Sequence, residues 1–388
     1  MPDKKNISNR KFMQSRSAIV IGAGIVGLAT ARALAVRGFS VKVFERSEKA
    51  VGASIRNFGM IWPIGQPGGK MYERAIRSRE IWKEIAATGN FWHEPAGSLH
   101  LAYKPDEWQV LQELLEQFHK EGRAVKLLDK KAVASVSAAA IPDGLLGGLY
   151  SGDELIVDPR EAIAALPGWL AERHHVEFFW GKCVSYISDQ VVYIGMEEEY
   201  EADLVFVCNG ADLETLYPEN FSQLPVTKCK LQMMRLIPQP GDWRIGPALC
   251  GGLSLIHYNS FKTAASLPAL KQRYTEELAG YLEWGIHVMV AQNGRGELTI
   301  GDSHEYGLTH DPFDRQCINK MILDYLRTFA RFRDWSVAET WNGVYTKLTD
   351  GEADLFFSPE PFVYVINGVG GAGMTLSFGL AEELVAGL

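Results

Sequence analysis

The chain has 388 residues, is 47% hydrophobic and 22% charged, and carries a formal net charge of −8. That length exceeds a usual single core and points to two domains. The acidic balance argues against nucleic acid as a partner, because phosphate binding needs a basic face, and no apolar run approaches the ~18 residues of a membrane span.

Residues 1–16 are polar and mixed in charge, without the apolar stretch of a secretory signal. They read as a disordered leader. Cys183, Cys208, Cys229, Cys250 and Cys317 share no C-x-x-C spacing. A cytoplasmic protein with reduced thiols fits best, and neither a zinc site nor a disulfide framework is visible in the spacing.

Residues 18–21 are apolar and read as a short buried parallel strand. Gly22-Ala23-Gly24-Ile25-Val26-Gly27 follows, then apolar residues at helical spacing up to Gly38. Residues 41–44 make a second strand with Glu45 at its end. Each part has a physical job in holding a dinucleotide. Gly22 permits the turn, Gly24 lets a pyrophosphate approach, and Gly27 lets helix and strand pack closely. The amides at Ile25 and Val26 open a helix whose positive end suits phosphate. Glu45 can accept the ribose hydroxyls and would repel a 2′-phosphate, which disfavours NADP. Glycines, strand, helix, second strand and acidic end in that order form a specific signal.

The loop 52–63 interleaves small and apolar residues, as backbone running beside a flat ligand would. Residues 70–88 and 105–121 read as amphipathic helices, with strand-like pieces at 98–103 and 125–128. Asp158-Pro159 opens another helix. Strands are expected at 176–180, 183–187 and 202–208, the last running into Asn209, Gly210 and Ala211. From 226 to 300 the pattern reads as all strands (230–237, 253–257, 287–291, 297–300), which suits a substrate-covering sheet. A helix is expected at 313–330 and a strand at 362–367. Gly368-Val369-Gly370-Gly371-Ala372-Gly373-Met374-Thr375 then feeds a last helix, 376–386. This second glycine turn puts another set of bare N–H groups beside the ligand. They suit an acceptor-rich edge that gains negative charge, such as N1 and O2 of a reduced isoalloxazine.

Four segments carry a resemblance: VIGAGIVGLATARAL with VKVFER, GASIRNFGMIWP, ADLVFVCNGADL, and INGVGGAGMTLSFGLAEEL. Together they resemble the D-amino-acid oxidase, glycine oxidase and sarcosine oxidase family of flavoproteins. Weaker similarity fills most of 17–388. GASIRNFGMIWPIGQP with WNGVYTKLTDGEADLF looks most like a subgroup associated with aminophosphonate breakdown, thought to act on 2-aminoethylphosphonate or its N-methyl form. The resemblance implies an α/β fold: a Rossmann-like FAD-binding domain of the glutathione-reductase type, interleaved with a mostly antiparallel β substrate domain. The expected division is 17–95, 151–225 and 336–388 for FAD, and 96–150 and 226–335 for substrate.

It also implies site residues. Gly22, Gly24 and Gly27 would meet the FAD pyrophosphate, and Glu45 and Arg46 the adenosine end. Ala53 and Ser54 would touch the phosphates and ribityl chain, and Asn57, Gly59 and Met60 would lie along the flavin. Val184 would reach adenine, while Asn209, Gly210 and Ala211 would close the pyrophosphate side. Gly371, Ala372, Gly373, Met374 and Thr375 would hold the pyrimidine edge. Two departures carry consequences. Sarcosine oxidases tether flavin to a Cys just before a Tyr-Thr pair, and here Gly343-Val344 precedes Tyr345-Thr346, so FAD is expected to be non-covalent. Their oxygen-linked Lys stands in a G-L-K-x-G strand where this chain has Glu297-Leu298-Thr299-Ile300-Gly301, which leaves the acceptor open between O2 and another oxidant.

The expected chemistry is oxidation of the C–N bond of a small anionic primary or N-methylated amine by hydride transfer to flavin N5, giving an imine and then an aldehyde or keto product. A dry pocket keeps the amine neutral, and Phe58, Met60 and Trp62 are candidate walls. A fixed cation would hold the anionic end. Arg56 and Lys347 are the candidates, with Tyr345 and His257 as further substrate-facing groups. Alternatives are a partner-dependent flavoprotein dehydrogenase subunit of the same fold and an NAD-linked dehydrogenase. The latter would not need the second glycine turn. Gly301-Asp302 looks like the flavin-binding pair of aromatic hydroxylases but lies too far before the last helix to serve as one.

Overall fold

A computed structural model describes residues 16–388; the expected leader lies outside the described residues, Arg16 apart. The apolar run after Arg16 forms the strand Ser17–Ile21, with its last four residues buried. It sits inside a six-stranded sheet. Ser40–Glu45 and Leu204–Val207 flank it in parallel, Glu177–Trp180 lies beyond the first, and Val363–Asn367 then antiparallel Leu355–Glu360 lie beyond the second. Strands covered on both faces read as unbroken apolar runs, and Leu204–Val207 is buried throughout. Helices Ile25–Val36, Lys70–Ala86 and Gly373–Ala386 pack together beside this sheet. Trp82 locks them: its Nε1 donates to Met374 O at 2.8 Å and its ring meets Phe378 edge-on.

The glycine turn is a close-packing device. Gly22 has φ of +103°, and a Cβ there would lie 2.4 Å from Cys208 O. A Cβ on Gly27 would lie 1.8 Å from Gly22 O. No side chain fits at either place without moving backbone.

The second sheet is built mainly from antiparallel strands between Ser98–Ala102 and Val337–Leu348, with one parallel contact, Ala248–Cys250 on Ser98–Ala102. Helices Pro105–Lys120, Leu267–Glu277 and Gln316–Leu326 share its core through Leu111, Phe118, Leu270 and Ile322. Two expectations are corrected here. Val337–Leu348 was assigned by sequence to the FAD-binding part, yet it pairs along its length with Val226–Leu236 in the larger sheet. Residues 253–257, expected as a strand, form the 3-10 helix Gly252–Ile256, followed by Asn259–Thr263, Leu267–Glu277 and Ala279–Glu283. The run Leu253-Ser254-Leu255 alternates like a strand. Ser254 closes a tight turn instead, its N–H and hydroxyl both donating to Gly251 O at 3.0 and 2.5 Å.

Gly27→Ala is expected to destabilise the protein by about 3 kcal/mol or more through forced overpacking. Urea unfolding of the purified variant checks this; a variant as stable as wild type would show that the helix is free to retreat from the turn.

Candidate active site

A single cavity of about 1230 Å³ runs from the first glycine turn, past the last one, to His257 and His287. It exceeds the ~300–1,000 Å³ of an ordinary small-molecule site and has room for a dinucleotide with a substrate beside it. Two helices, Ile25–Val36 and Gly373–Ala386, begin on it.

At the nucleotide end, Glu45 is aimed at the glycine turn. Its Oε2 accepts from Ala23 N–H at 2.9 Å and its Oε1 from Ser47 N–H at 3.0 Å. Arg46 pairs with Asp212. Ser54 Oγ accepts from Ile25 N–H at 2.9 Å, which caps the first amide of the helix Ile25–Val36. Ala53, Met60, Val184, Asn209, Gly210 and Ala211 line the cavity. Gly371 to Thr375 do so at the other end, where a Cβ on Gly371 would stand 3.4 Å from Tyr345 Oη.

Some predicted contacts turn out to be supports. Gly27 and Gly59 are not on the cavity. Gly59 has φ of +74°, and a Cβ there would lie 1.9 Å from Val157 O, so backbone crossing requires a glycine. Asn57 lines the cavity but spends its amide on its own loop, donating to Ala53 O and Ser54 O and accepting from Gly59 N–H. Thr375 uses its hydroxyl to accept from Trp62 N–H at 2.9 Å. The residues present fit FAD: two helix starts on the cavity, an acidic ribose acceptor, and glycines where a flat ring system needs bare backbone.

At the substrate end, Arg56, Tyr345, Lys347 and His257 all line this one cavity. Arg56 donates to Asn342 O at 3.1 Å, and Lys347 Nζ lies 3.3 Å from Tyr306 Oη. Among the described residues neither cation is paired with a carboxylate, although most arginines of the chain are. His257 follows a 3-10 helix instead of ending a strand.

Sequence reasoning missed His287, His304 and Asp302. Backbone pairing joins them: Asp302 N–H donates to His287 O at 3.0 Å, and His287 N–H to Asp302 O at 3.3 Å. His304, two residues on, returns to the same face. Burial drives the His287 imidazole well below its usual range, and His304 down to about 4. Burial also pushes the Asp302 carboxyl and the Tyr345 phenol well up, and Tyr306 up to about 12. Burial therefore disfavours charge on this wall, and the lining cations Arg56, Lys262, Lys271 and Lys347 have no carboxylate partner among the described residues.

Behind Trp62 lies a second buried pair. His100 is fully enclosed against Trp62 and Phe261, with burial taking it down to about 3. Glu154 accepts from Ile64 N–H at 3.0 Å and Ser98 Oγ at 2.9 Å, and burial raises it to about 7.

Residues 17–386 match the family described as DAO, FAD dependent oxidoreductase, and the chain belongs to that family. The fold is similar to glycine oxidase from Bacillus cereus ATCC 14579 (TM-score 0.75, 17% identity, 96% of this chain and 95% of that one). It is similar to L-proline dehydrogenase from P. horikoshii (0.75, 20%, 96% and 92%). It also resembles iminodiacetate oxidase from Chelativorans sp. BNC1 (0.73, 18%, 95% and 94%). By sequence it is 26% identical over 247 residues to the tRNA 5-methylaminomethyl-2-thiouridine biosynthesis bifunctional protein MnmC of Pseudomonas aeruginosa strain UCBPP-PA14, covering 61% of this chain. The match spans only 35% of that relative's length. The protein is thus an FAD-dependent oxidoreductase of an α/β fold with mixed sheets. Among the described residues no helix is long and apolar enough to cross a membrane.

The Glu154 carboxyl titrates above its unfolded range, so its favourable neutral state is kept below about pH 4.5 and lost as pH rises through about 7. Glu154→Gln is expected to gain roughly 3 kcal/mol on wild type between pH 4.5 and 8. Parallel urea melts at both pH values check it; a constant difference would contradict the shift. Buried histidines act with the opposite sign in both proteins and cancel in the comparison.

Proposed function

We propose that the protein oxidises the C–N bond of a small amine whose other end is an anion. The observation that carries this is the pair Arg56 and Lys347, both on the cavity wall and neither neutralised by a carboxylate among the described residues. With Lys262 and Lys271 also on the lining and without a carboxylate partner among the described residues, this cavity of an acidic chain suits an anion. Two cations suit a phosphonate dianion better than one carboxylate, which favours 2-aminoethylphosphonate or its N-methyl form over glycine or sarcosine. The names of the structural relatives point to small amino acids and an iminodiacid, which share the amine-plus-anion pattern.

FAD, when bound, supplies the hydride acceptor. The chain supplies position and environment. Arg56 and Lys347 fix the anionic end and so set where the amine-bearing carbon rests. Phe58, Met60 and Trp62 line the cavity as apolar walls. Together with the buried His287 they desolvate an ammonium ion, which favours the neutral, reactive form of the amine. The Cys183 and Cys208 thiols lie on the cavity, but the position before Tyr345 is Val344, and we take the cofactor to be held without a covalent bond. The acceptor that reoxidises it is O2 or another oxidant.

Anaerobic mixing of the purified protein with amines, followed by flavin absorbance, tests the reading. Bleaching by 2-aminoethylphosphonate or its N-methyl form but not by glycine, sarcosine or D-alanine is expected. Bleaching by the amino acids alone would make Arg56 a carboxylate clamp, and no bleaching by any amine would contradict the proposal. Arg56→Ala and Lys347→Ala are each expected to raise KM by ~10-fold or more with FAD still bound. Steady-state kinetics of both variants would refute the anion site if they matched wild type.

A further inference from the structure

We propose that His257, His287 and His304 form a binding site for one zinc-class divalent cation on the cavity wall. One nitrogen from each ring lies within 4.8 Å of the others. A tetrahedral zinc with Zn–N of about 2.0–2.1 Å needs nitrogens about 3.3 Å apart, which each ring reaches by moving less than about 1 Å. Ring centroids are 4.9 Å apart for His257 and His304 and 5.1 Å for His287 and His304. Those spacings resemble imidazoles spread around one ion, about 5 Å apart for the same bond lengths. His257 stands closer to His287, at 3.7 Å, and it is the exposed member with room to swing.

The hydrogen bonds leave the ligand atoms free. His304 Nδ1 is engaged by Gly285 O at 2.9 Å, which holds the ring and reserves Nε2. This is the support that metal-bound imidazoles ordinarily have. His287 Nδ1 and Asp302 Oδ1 are both buried without a hydrogen-bond partner, on side chains only 4% and 8% exposed. His287 Nε2 lies 3.1 Å from that carboxylate oxygen but off the line of a hydrogen bond. Leaving such atoms unsatisfied costs about 1–3 kcal/mol each. A cation answers both at once, by taking the imidazole lone pair and drawing the Asp302 carboxylate to orient the ring. Three neutral nitrogen donors suit zinc over magnesium or calcium, which prefer oxygen.

Three protein ligands leave a fourth position open, as in sites where the ion meets a ligand from solution. Here all three histidines line the cavity. We assign the fourth position to an oxyanion, the anionic end of the substrate; this role, though not the ion itself, rests on the function proposed above.

The test is calorimetric titration of Zn²⁺ into chelator-treated holoenzyme, with metal content measured after dialysis. One zinc per chain, with Kd below about 1 µM, is expected. His287→Ala and His304→Ala should weaken it at least ~100-fold, and His304→Gln, with FAD absorbance intact, guards against a folding defect. No binding at 100 µM, or variants that bind like wild type, would overturn the site. Methylphosphonate should bind the zinc-loaded holoenzyme at least ~10-fold more tightly than the metal-free form. If methylphosphonate affinity and amine KM are the same with and without zinc, the oxyanion role is overturned and amine oxidation stands. If zinc binds but no amine bleaches the flavin, amine oxidation fails and the metal site stands.

Discussion

The strand Val337–Leu348 is the constraint on which the site depends. Along its length it is hydrogen-bonded to Val226–Leu236 and so belongs to the larger sheet. Along the same length it reaches the cofactor side. Arg56 donates to Asn342 O, Thr346 Oγ1 to Gly210 O, and Lys347 bridges backbone to Val369 in the last glycine turn. One strand thus fixes the distance between the glycine turns and the substrate-facing side chains. The precision that C–N oxidation needs comes from this shared element and not from a mobile loop.

Electrostatics divides the cavity into two regimes. At the nucleotide end, charge is distributed and partly paired, with Glu45 held by amides and Arg46 by Asp212. At the substrate end, burial disfavours the charged forms of the His287 imidazole and the Asp302 carboxyl. Arg56 and Lys347, each half-buried, act beside this wall, where a charge–charge attraction is stronger than in bulk water. The same surrounding disfavours an ammonium ion. One environment therefore serves both ends of the substrate.

The two glycine turns, Glu45 and the parallel strands were legible because their signals are local: a run, a spacing, a terminal residue. Arg56 and Lys347 were legible as cations beside such runs. The histidine group was not. His257, His287 and His304 share no spacing and meet only because antiparallel pairing sets Asp302 opposite His287 and a 3-10 helix delivers His257 to the same place. That helix was itself misread, since Leu253-Ser254-Leu255 fits alternation as well as a tight turn. Asp302 drew notice only through its likeness to another flavoprotein motif. Glu154 and His100 gave no signal, because burial of a charged residue is invisible in a pattern.

A crystal structure of the holoenzyme with methylphosphonate would test the central claim most directly. The account predicts FAD along Gly22, Ser54 and Gly371, with the anion in the same cavity between Arg56, Lys347 and the histidine wall. An anion bound elsewhere, or a flavin ring separated from Arg56 and Lys347 by protein, would contradict it.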